Sequence, residues 1–248
     1  MIKGLKVLAV VPARGGSKGI LLKNLRTIQD RPLVALAGDV ARQVQEIDRR
    51  VVSTDHAEIA RVAQLAGLDA PFMRPKAISG DRIGDWDVLV NALLETEAAD
   101  GTTYDIVVML QPTSPLRRAS DVAGVIRMLV KDGYDSVWSV SVSDSKAHPL
   151  KQLVVRDGTL EYWDSRGGQI VARQQLEPVF HRNGVAYAIT RSCLLEHKTI
   201  KGPKTGAYVV AGEHVSIDTE WDIELIEFIL KRSLRPQPHL PSGKPPRT

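Results

Sequence analysis

The sequence predicts an α/β domain built on a mostly parallel sheet with helices on both faces. Runs such as "KVLAVVPA" are apolar at consecutive positions, as strands buried on both faces are. Each such run is followed by a segment whose apolar residues recur at helical spacing. The alternation of strand and helix persists to about residue 145, which is the mark of a parallel sheet with crossover helices.

In chain order, "KVLAVVPA" is the first strand and "PLVALAGDVARQVQE" the first helix. "RRVVSTD" is a second short strand, and "HAEIARVAQLAGL" a helix that Gly67 stops. "GDWDVLVNALLETEAA" is a third helix, with Asp81 and Asp85 at its start as capping candidates. "YDIVVMLQPTSPLR" is a strand running into a turn, and "SDVAGVIRMLVKDG" a helix with Ser120 as N-cap and Gly133 as C-cap. "DSVWSVSVS" is the next strand. Beyond it the pattern changes. "PLKQLVVRDGTLEYW" predicts a β-hairpin turning at Asp157-Gly158. The stretch up to Phe180 has little apolar periodicity and is expected as an excursion over about residues 146–182. "GVAYAIT" resumes strand character and "TEWDIELIEFILKRSL" is a final amphipathic helix. A single domain over 1–234 is expected, followed by a proline-rich, disordered tail at 235–248.

Composition sets outer limits. The 248 residues suffice for one sizeable domain with a small appendage. The formal net charge is +4, and Arg235, Lys244 and Arg247 supply three of those charges, so the body is near neutral. That argues against a nucleic-acid binder. Cys193 is the only cysteine, which excludes an intramolecular disulfide and a cysteine zinc cluster and suits a reducing cytoplasm. The opening "MIKGLKVLAVVPAR" has lysines ahead of an apolar run, but that run is too short for the core of a signal peptide and ends at Pro12 and Arg14. No apolar run approaches the ~20 residues a membrane helix needs, so no membrane role is expected.

The chemistry starts at "VLAVVPARGGSKGILLKNLR", residues 7–26. A buried strand opens into a glycine and serine loop holding Arg14, Lys18, Lys23 and Arg26. Ligands of open α/β sheets bind at the carboxyl ends of strands. Glycines let backbone N–H groups approach a phosphate, and Arg and Lys neutralise it. The loop matches neither G-x-x-x-x-G-K-[ST] nor G-x-G-x-x-G. A solvated basic loop is the bland alternative; four basic side chains directly after a buried strand favour a polyphosphate site.

"PARGGSKGILLKNLR" resembles the signature of the CMP-sugar synthetases, closest to the CMP-sialic acid synthetase (acylneuraminate cytidylyltransferase) branch. The resemblance continues at "VVSTD", "MRPKAISGD", "LQPTSPLR", "NGVAY" and "SIDTEWD", and covers about residues 5–230. It implies a three-layer Rossmann-like nucleotidyltransferase fold with a small dimerisation excursion. It also implies a CTP-dependent cytidylyltransferase that joins a 2-keto-3-deoxy acid sugar of the nonulosonic (sialic) type to CMP and releases pyrophosphate, with Mg2+. Arg14, Ser17, Lys18 and Lys23 match the triphosphate loop, Asn24 a residue that helps hold the nucleotide, and Arg74 a position near the cytosine. A surface ion pair is the other reading of Arg74. Gln111 matches a residue contacting the acid sugar, though a plain strand-to-helix loop would also explain "LQPTSPLR". Lys151 and Arg173 match partners of the sugar carboxylate, on an excursion that completes the site of a second subunit in a homodimer. Asn183 and Tyr187 match residues lining the sugar pocket, and Tyr187 suits a core position equally well.

Three departures stand out. Leu21-Leu22 precedes Lys23-Asn24 where the family has a proline. The family's metal-binding Asp-x-Asp becomes Ser216-Ile217-Asp218 here, leaving Asp218 as the magnesium ligand and the catalytic carboxylate beside Arg14 and Lys23. Asp222, four residues on, suits the first turn of a helix. Where the family shows Phe-Arg-x-Asn, His181 takes the arginine position and Arg182 follows it. The competing readings are an octulosonate enzyme, another sugar nucleotidyltransferase, or a non-catalytic nucleotide-binding relative.

Overall fold

Val7–Pro12 form the axis of the molecule. This strand, β1, lies inside a six-stranded sheet, and its side chains alternate between two cores: Val7, Ala9 and Val11 on one face, Leu8 and Val10 on the other. The computed structural model describes residues 1–233. After β1 come β2 (Thr27–Ile28), β3 (Arg31–Pro32), α1 (Leu33–Gln43), β4 (Arg49–Ser53), α2 (Ala57–Leu65), α3 (Asp85–Asp100), β5 (Ile106–Met109) and α4 (Ala119–Asp132). Then follow β6 (Ser136–Val142), β7 (Leu153–Arg156), β8 (Thr159–Tyr162), β9 (Phe180–Thr190), α5 (Arg191–Leu195), β10 (Thr205–Val209) and α6 (Glu220–Ser233).

The sheet order is β10-β6-β9-β5-β1-β4. β4, β1 and β5 pair in parallel, as do β6 and β10, while β9 runs antiparallel to both β5 and β6. Val34, Ala37 and Ala41 of α1, Ile59 and Ala63 of α2, and Val122, Val125, Ile126 and Leu129 of α4 cover one face. Leu89, Ala92 and Leu93 of α3, with Cys193 and Leu194 of α5, cover the other. The result is the predicted three-layer α/β/α arrangement. Leucines this well buried each contribute roughly 1.5–3 kcal/mol of transfer free energy. A third cluster joins Ile20, Ile28 and Leu33 to Ile217, Ile223 and Ile226. It fastens the first loop to the last helix, elements far apart in sequence.

The hairpin of β7 and β8 turns at Asp157 and Gly158, both with positive φ, as the type I′ turn requires. Gly133 takes the left-handed C-cap of α4, as expected. Ser120 does not cap that helix: it lies inside the first turn, and Arg118 stands at the N-cap in extended conformation. Arg117, one residue before that N-cap, is buried. Asp81 is not part of α3, and Asp85 is its first residue, behind Gly84 at the N-cap. The short α5 and β10 were not expected from the sequence. The tail at 235–248 lies outside the described residues.

Candidate active site

The carboxyl ends of β1 and β5 open into a cavity of about 380 Å³. One wall comes from the first loop: Arg14, Ser17, Lys23 and Asn24. Another comes from the segment after β4: Arg74, Ser79, Asp81 and Asp85. Gln111, Pro112 and Thr113 form the wall beyond β5, and Ser216 and Asp218 close the remaining side. The nucleotide candidates Arg14, Ser17, Lys23, Asn24 and Arg74 therefore meet Gln111 and Asp218 around one space.

The loop is held by specific contacts. Gly15 N–H donates to Asp55 Oδ1 at 2.8 Å, and Asn24 Nδ2 donates to the Arg14 carbonyl at 2.9 Å. Gly19 passes so close to the 218 backbone that a Cβ there would lie 2.6 Å from the Asp218 carbonyl oxygen, which only glycine permits. Leu22 takes left-handed backbone angles before the 3₁₀ turn Lys23–Leu25, one residue after Leu21, which stands where the resembled signature has proline. Lys23 Nζ donates to the Ile217 carbonyl at 2.8 Å and to Asp218 Oδ1 at 3.1 Å. Arg14 and Lys18 both pair with Asp81, at 2.8 and 2.7 Å, and hold its carboxyl below the usual aspartate range; the Lys18 hydrogen bond is the largest cause. Lys18 itself stands outside the cavity wall.

Arg74 is 5% exposed, and its Nε and Nη2 are buried without a hydrogen-bond partner. This is not a surface ion pair. Burial lowers its pKa, Asp55 offsets part of that, and Arg14 adds to it. Buried donors left unmet cost on the order of 1–3 kcal/mol each, so a residue on the cavity wall that carries two of them marks a strained, ligand-type position.

The side near Asp218 has one carboxylate and one hydroxyl from residues 216 and 218. Asp222 is committed elsewhere: Oδ2 accepts from the N–H groups of Asp218 and Thr219 at 2.9 and 2.7 Å, which caps α6. Among the described residues, no three His, Cys, Asp or Glu side chains converge to hold a metal. Magnesium needs few protein ligands when phosphate oxygens and water supply the rest, and Asp218 with Ser216 fits that limited set.

Other candidates lie apart from the cavity. Asn183 is buried: Oδ1 accepts from Ser139 Oγ at 2.6 Å and from Val185 N–H at 3.1 Å, while Nδ2 donates to Ser141 Oγ at 3.0 Å. Tyr187 is core, stacked at a tilt on Trp138, with its hydroxyl accepting from Gly184 N–H at 2.9 Å. Neither lines the cavity. Lys151 and Arg173 sit on exposed 3₁₀ turns of the excursion. His181 lines a separate cleft, with Nδ1 3.0 Å from Ser143 Oγ. Arg182 lies over the Trp138 ring and 4.0 Å from Asp85. That Asp55 and Asp81 are partners of the loop was not foreseen; their places inside "VVSTD" and "MRPKAISGD" were the available signal.

Comparison with known proteins identifies the family and the fold. The family model described as cytidylyltransferase matches residues 8–237. The Legionella pneumophila CMP-N,N'-diacetyllegionaminic acid synthase is 29% identical over 237 residues, covering 92% of this chain and 97% of that protein. Post-translational flagellin modification protein B of Campylobacter coli is 27% identical over 228 residues, covering 91% and 95%. The N-acylneuraminate cytidylyltransferase of Escherichia coli is 27% identical over 232 residues, 93% of this chain but only 53% of that longer protein. Among solved structures, CMP:2-keto-3-deoxy-manno-octonic acid synthetase complexed with CTP superposes with a TM-score of 0.67 at 19% identity, covering 92% of this chain and all of the other. At that identity the likeness speaks for the fold.

Proposed function

The chain belongs to the cytidylyltransferase family, and from that premise we propose that it couples CTP to a nonulosonic 2-keto-3-deoxy acid sugar, giving the CMP-sugar and pyrophosphate. One observation carries this reading: Arg14 and Lys23 of the first loop, the buried Arg74 with its two unmet donors, and Gln111 all line one cavity.

In the reaction the anomeric hydroxyl of the sugar forms a bond to the α-phosphorus as the bond to the pyrophosphate oxygen breaks, and the hydroxyl proton is released. The chain's work is placement and charge neutralisation. Arg14, with its forked guanidinium, Ser17, Lys18 and Lys23 grip the triphosphate. Asn24 braces the loop and Arg74 meets the acceptors of the base. Gln111 orients the sugar opposite the leaving group. Asp218, with Ser216 beside it, would hold a magnesium ion, whose chemistry when bound would be to neutralise charge on the triphosphate.

The excursion fits a homodimer. It exposes Leu153, Val155, Leu160, Tyr162, Trp163 and Val171, and carries Lys151 and Arg173 away from its own cavity. In a second copy's site these two cations receive the sugar carboxylate, and the apolar side chains are covered. No helix among the described residues is long and apolar enough to cross a membrane.

The test is a panel of 2-keto-3-deoxy acids incubated with CTP and magnesium, with pyrophosphate measured. Release with a nonulosonate and none with hexose 1-phosphates is expected. Turnover of the octulosonate alone, of the hexose 1-phosphates, or of nothing would overturn the assignment. Sedimentation at working concentration checks the dimer.

A further inference from the structure

Arg117 has no part in the chemistry above, yet it is among the most enclosed charges of the chain, 5% exposed. A buried guanidinium is costly unless its donors are met. Here backbone carbonyls accept three hydrogen bonds from it. Nε donates to the Val185 carbonyl, and Nη2 donates to the carbonyls of Gly184 at 2.9 Å and Gln111 at 2.5 Å. Burial pulls the Arg117 pKa down to about 9, partly offset by Tyr187, so the side chain remains protonated at neutral pH.

Two of those acceptors exist because β9 bulges against β6. The register passes from Trp138 opposite Tyr187 to Val140 opposite Arg182, five steps along β9 for two along β6. The bulge turns the Gly184 and Val185 carbonyls toward Arg117. The third acceptor belongs to Gln111, on the cavity wall. A second tie joins the same two segments: Ser114 Oγ donates to the Asn183 carbonyl at 2.8 Å. The contact is close. Gly184 has φ +70°, and a Cβ there would lie 2.5 Å from Gln111 Oε1 and 2.6 Å from Ser114 Oγ. The Gln111 amide thus rests directly on the bulge that Arg117 holds.

We propose that Arg117 is a positioning residue: it clamps the β9 bulge and the turn after β5 into one rigid wall and so sets where the Gln111 amide meets the acid sugar. The substrate part of this statement rests on the function proposed above; the clamp itself does not. Lysine would not replace it, because one ammonium on a flexible stem lacks the planar fork that reaches three carbonyls at once.

Wild type, Arg117→Lys and Gly184→Ala are compared by steady-state kinetics, CTP titration calorimetry and hydrogen–deuterium exchange. In each variant kcat/KM for the acid is expected to fall by roughly 100-fold, the scale of a ~1 Å misplacement, with the CTP dissociation constant within twofold of wild type. Exchange is expected to rise together in residues 110–117 and 182–186 while residues 14–26 keep their protection. Wild-type kinetics in Arg117→Lys overturn the proposal. Parallel loss of CTP binding and turnover also overturns it, since that marks a general structural role. Should Arg117→Lys fail to fold, Gly184→Ala and Ser114→Ala decide, and unchanged acid kinetics in both overturn the clamp. If wild type turns over no acid at all, the functional reading falls, and the exchange measurement alone supports or overturns the clamp.

Discussion

Lys23 Nζ stands 3.1 Å from Asp218 Oδ1, although 195 residues separate the two in the chain. The Lys23 side chain is only 17% exposed, while that of Asp218 is 79% exposed. The lysine is anchored, with the Ile217 carbonyl as its second acceptor, and the carboxylate is presented at the cavity mouth. A pair with so exposed a partner adds ~0–1 kcal/mol to stability, so its value lies in placement. Lys23→Ala is predicted to lower kcat/KM by roughly 10²–10³-fold, as losing one preorganised charge-stabilising donor does, with a small change in melting temperature. Pyrophosphate release near the wild-type rate would remove Lys23 from the mechanism.

Asp81 occupies the donors that the triphosphate would use. Its two oxygens take Arg14 and Lys18 at 2.8 and 2.7 Å. Carboxylate and phosphate oxygens compete for the same cations. Because those partners hold its pKa below the usual aspartate value, the competition persists throughout the neutral range. Asp81→Asn is therefore expected to tighten CTP binding by about two- to fivefold, the scale of an exposed ion pair, with the gain shrinking at high salt. Weaker binding by calorimetry would show that Asp81 orients the cations instead of competing for the ligand.

Glu97 gives a pH signature unrelated to the active site. Its carboxylate accepts a two-pronged contact from Arg191 at 3.0 Å and a bond from Tyr104 N–H at 2.9 Å. Desolvation alone would raise its pKa; these bonds outweigh it and the net shift is downward from 4.5. A depressed folded-state value means the contribution is full above the unfolded pKa and is lost as pH falls through the folded one. Glu97→Gln should cost about 1–3 kcal/mol at neutral pH, measured by urea unfolding, and progressively less in acid. An equal loss at both ends of that range would show that shape, and not charge, is what the position requires.

Much of this was legible in the sequence, for physical reasons. Strands buried on both faces must be apolar throughout, so β1 and β5 announced themselves. Glycines that need left-handed angles, such as Gly67 and Gly133, marked helix ends. Charges on a glycine loop after a buried strand marked the cavity. The antiparallel direction of β9 was not legible, because direction is set by the long connection before it and leaves no local pattern. β10 is an edge strand with mixed exposure and an unremarkable sequence, "TGAYV". Arg117 was invisible because its partners are backbone carbonyls, which any residue carries. Asp81 was read as a cap because it lies near a helix start, but that helix begins only at Asp85.

Ser216 poses the sharpest question. Residues 216 and 218 line the same cavity, two positions apart along the chain, so both can face one ion. In the family this chain resembles, both positions are aspartates; here the first is a neutral hydroxyl, and no third metal-type ligand converges among the described residues. A magnesium ion held there would rely on Asp218, phosphate oxygens and water. Restoring the carboxylate with Ser216→Asp adds one negative charge to that shell. The magnesium concentration for half-maximal activity is expected to fall by about tenfold, equivalent to ~1.4 kcal/mol. Lys23, already paired with Asp218, would have a second carboxylate nearby, so the CTP dissociation constant without magnesium should rise as phosphate meets the added charge. Ser216→Ala separates the roles of the hydroxyl: a rise in the magnesium requirement makes Ser216 a ligand, directly or through water. If neither substitution moves the magnesium dependence, residue 216 lies outside the metal shell, and Asp218 acts chiefly through its contact with Lys23.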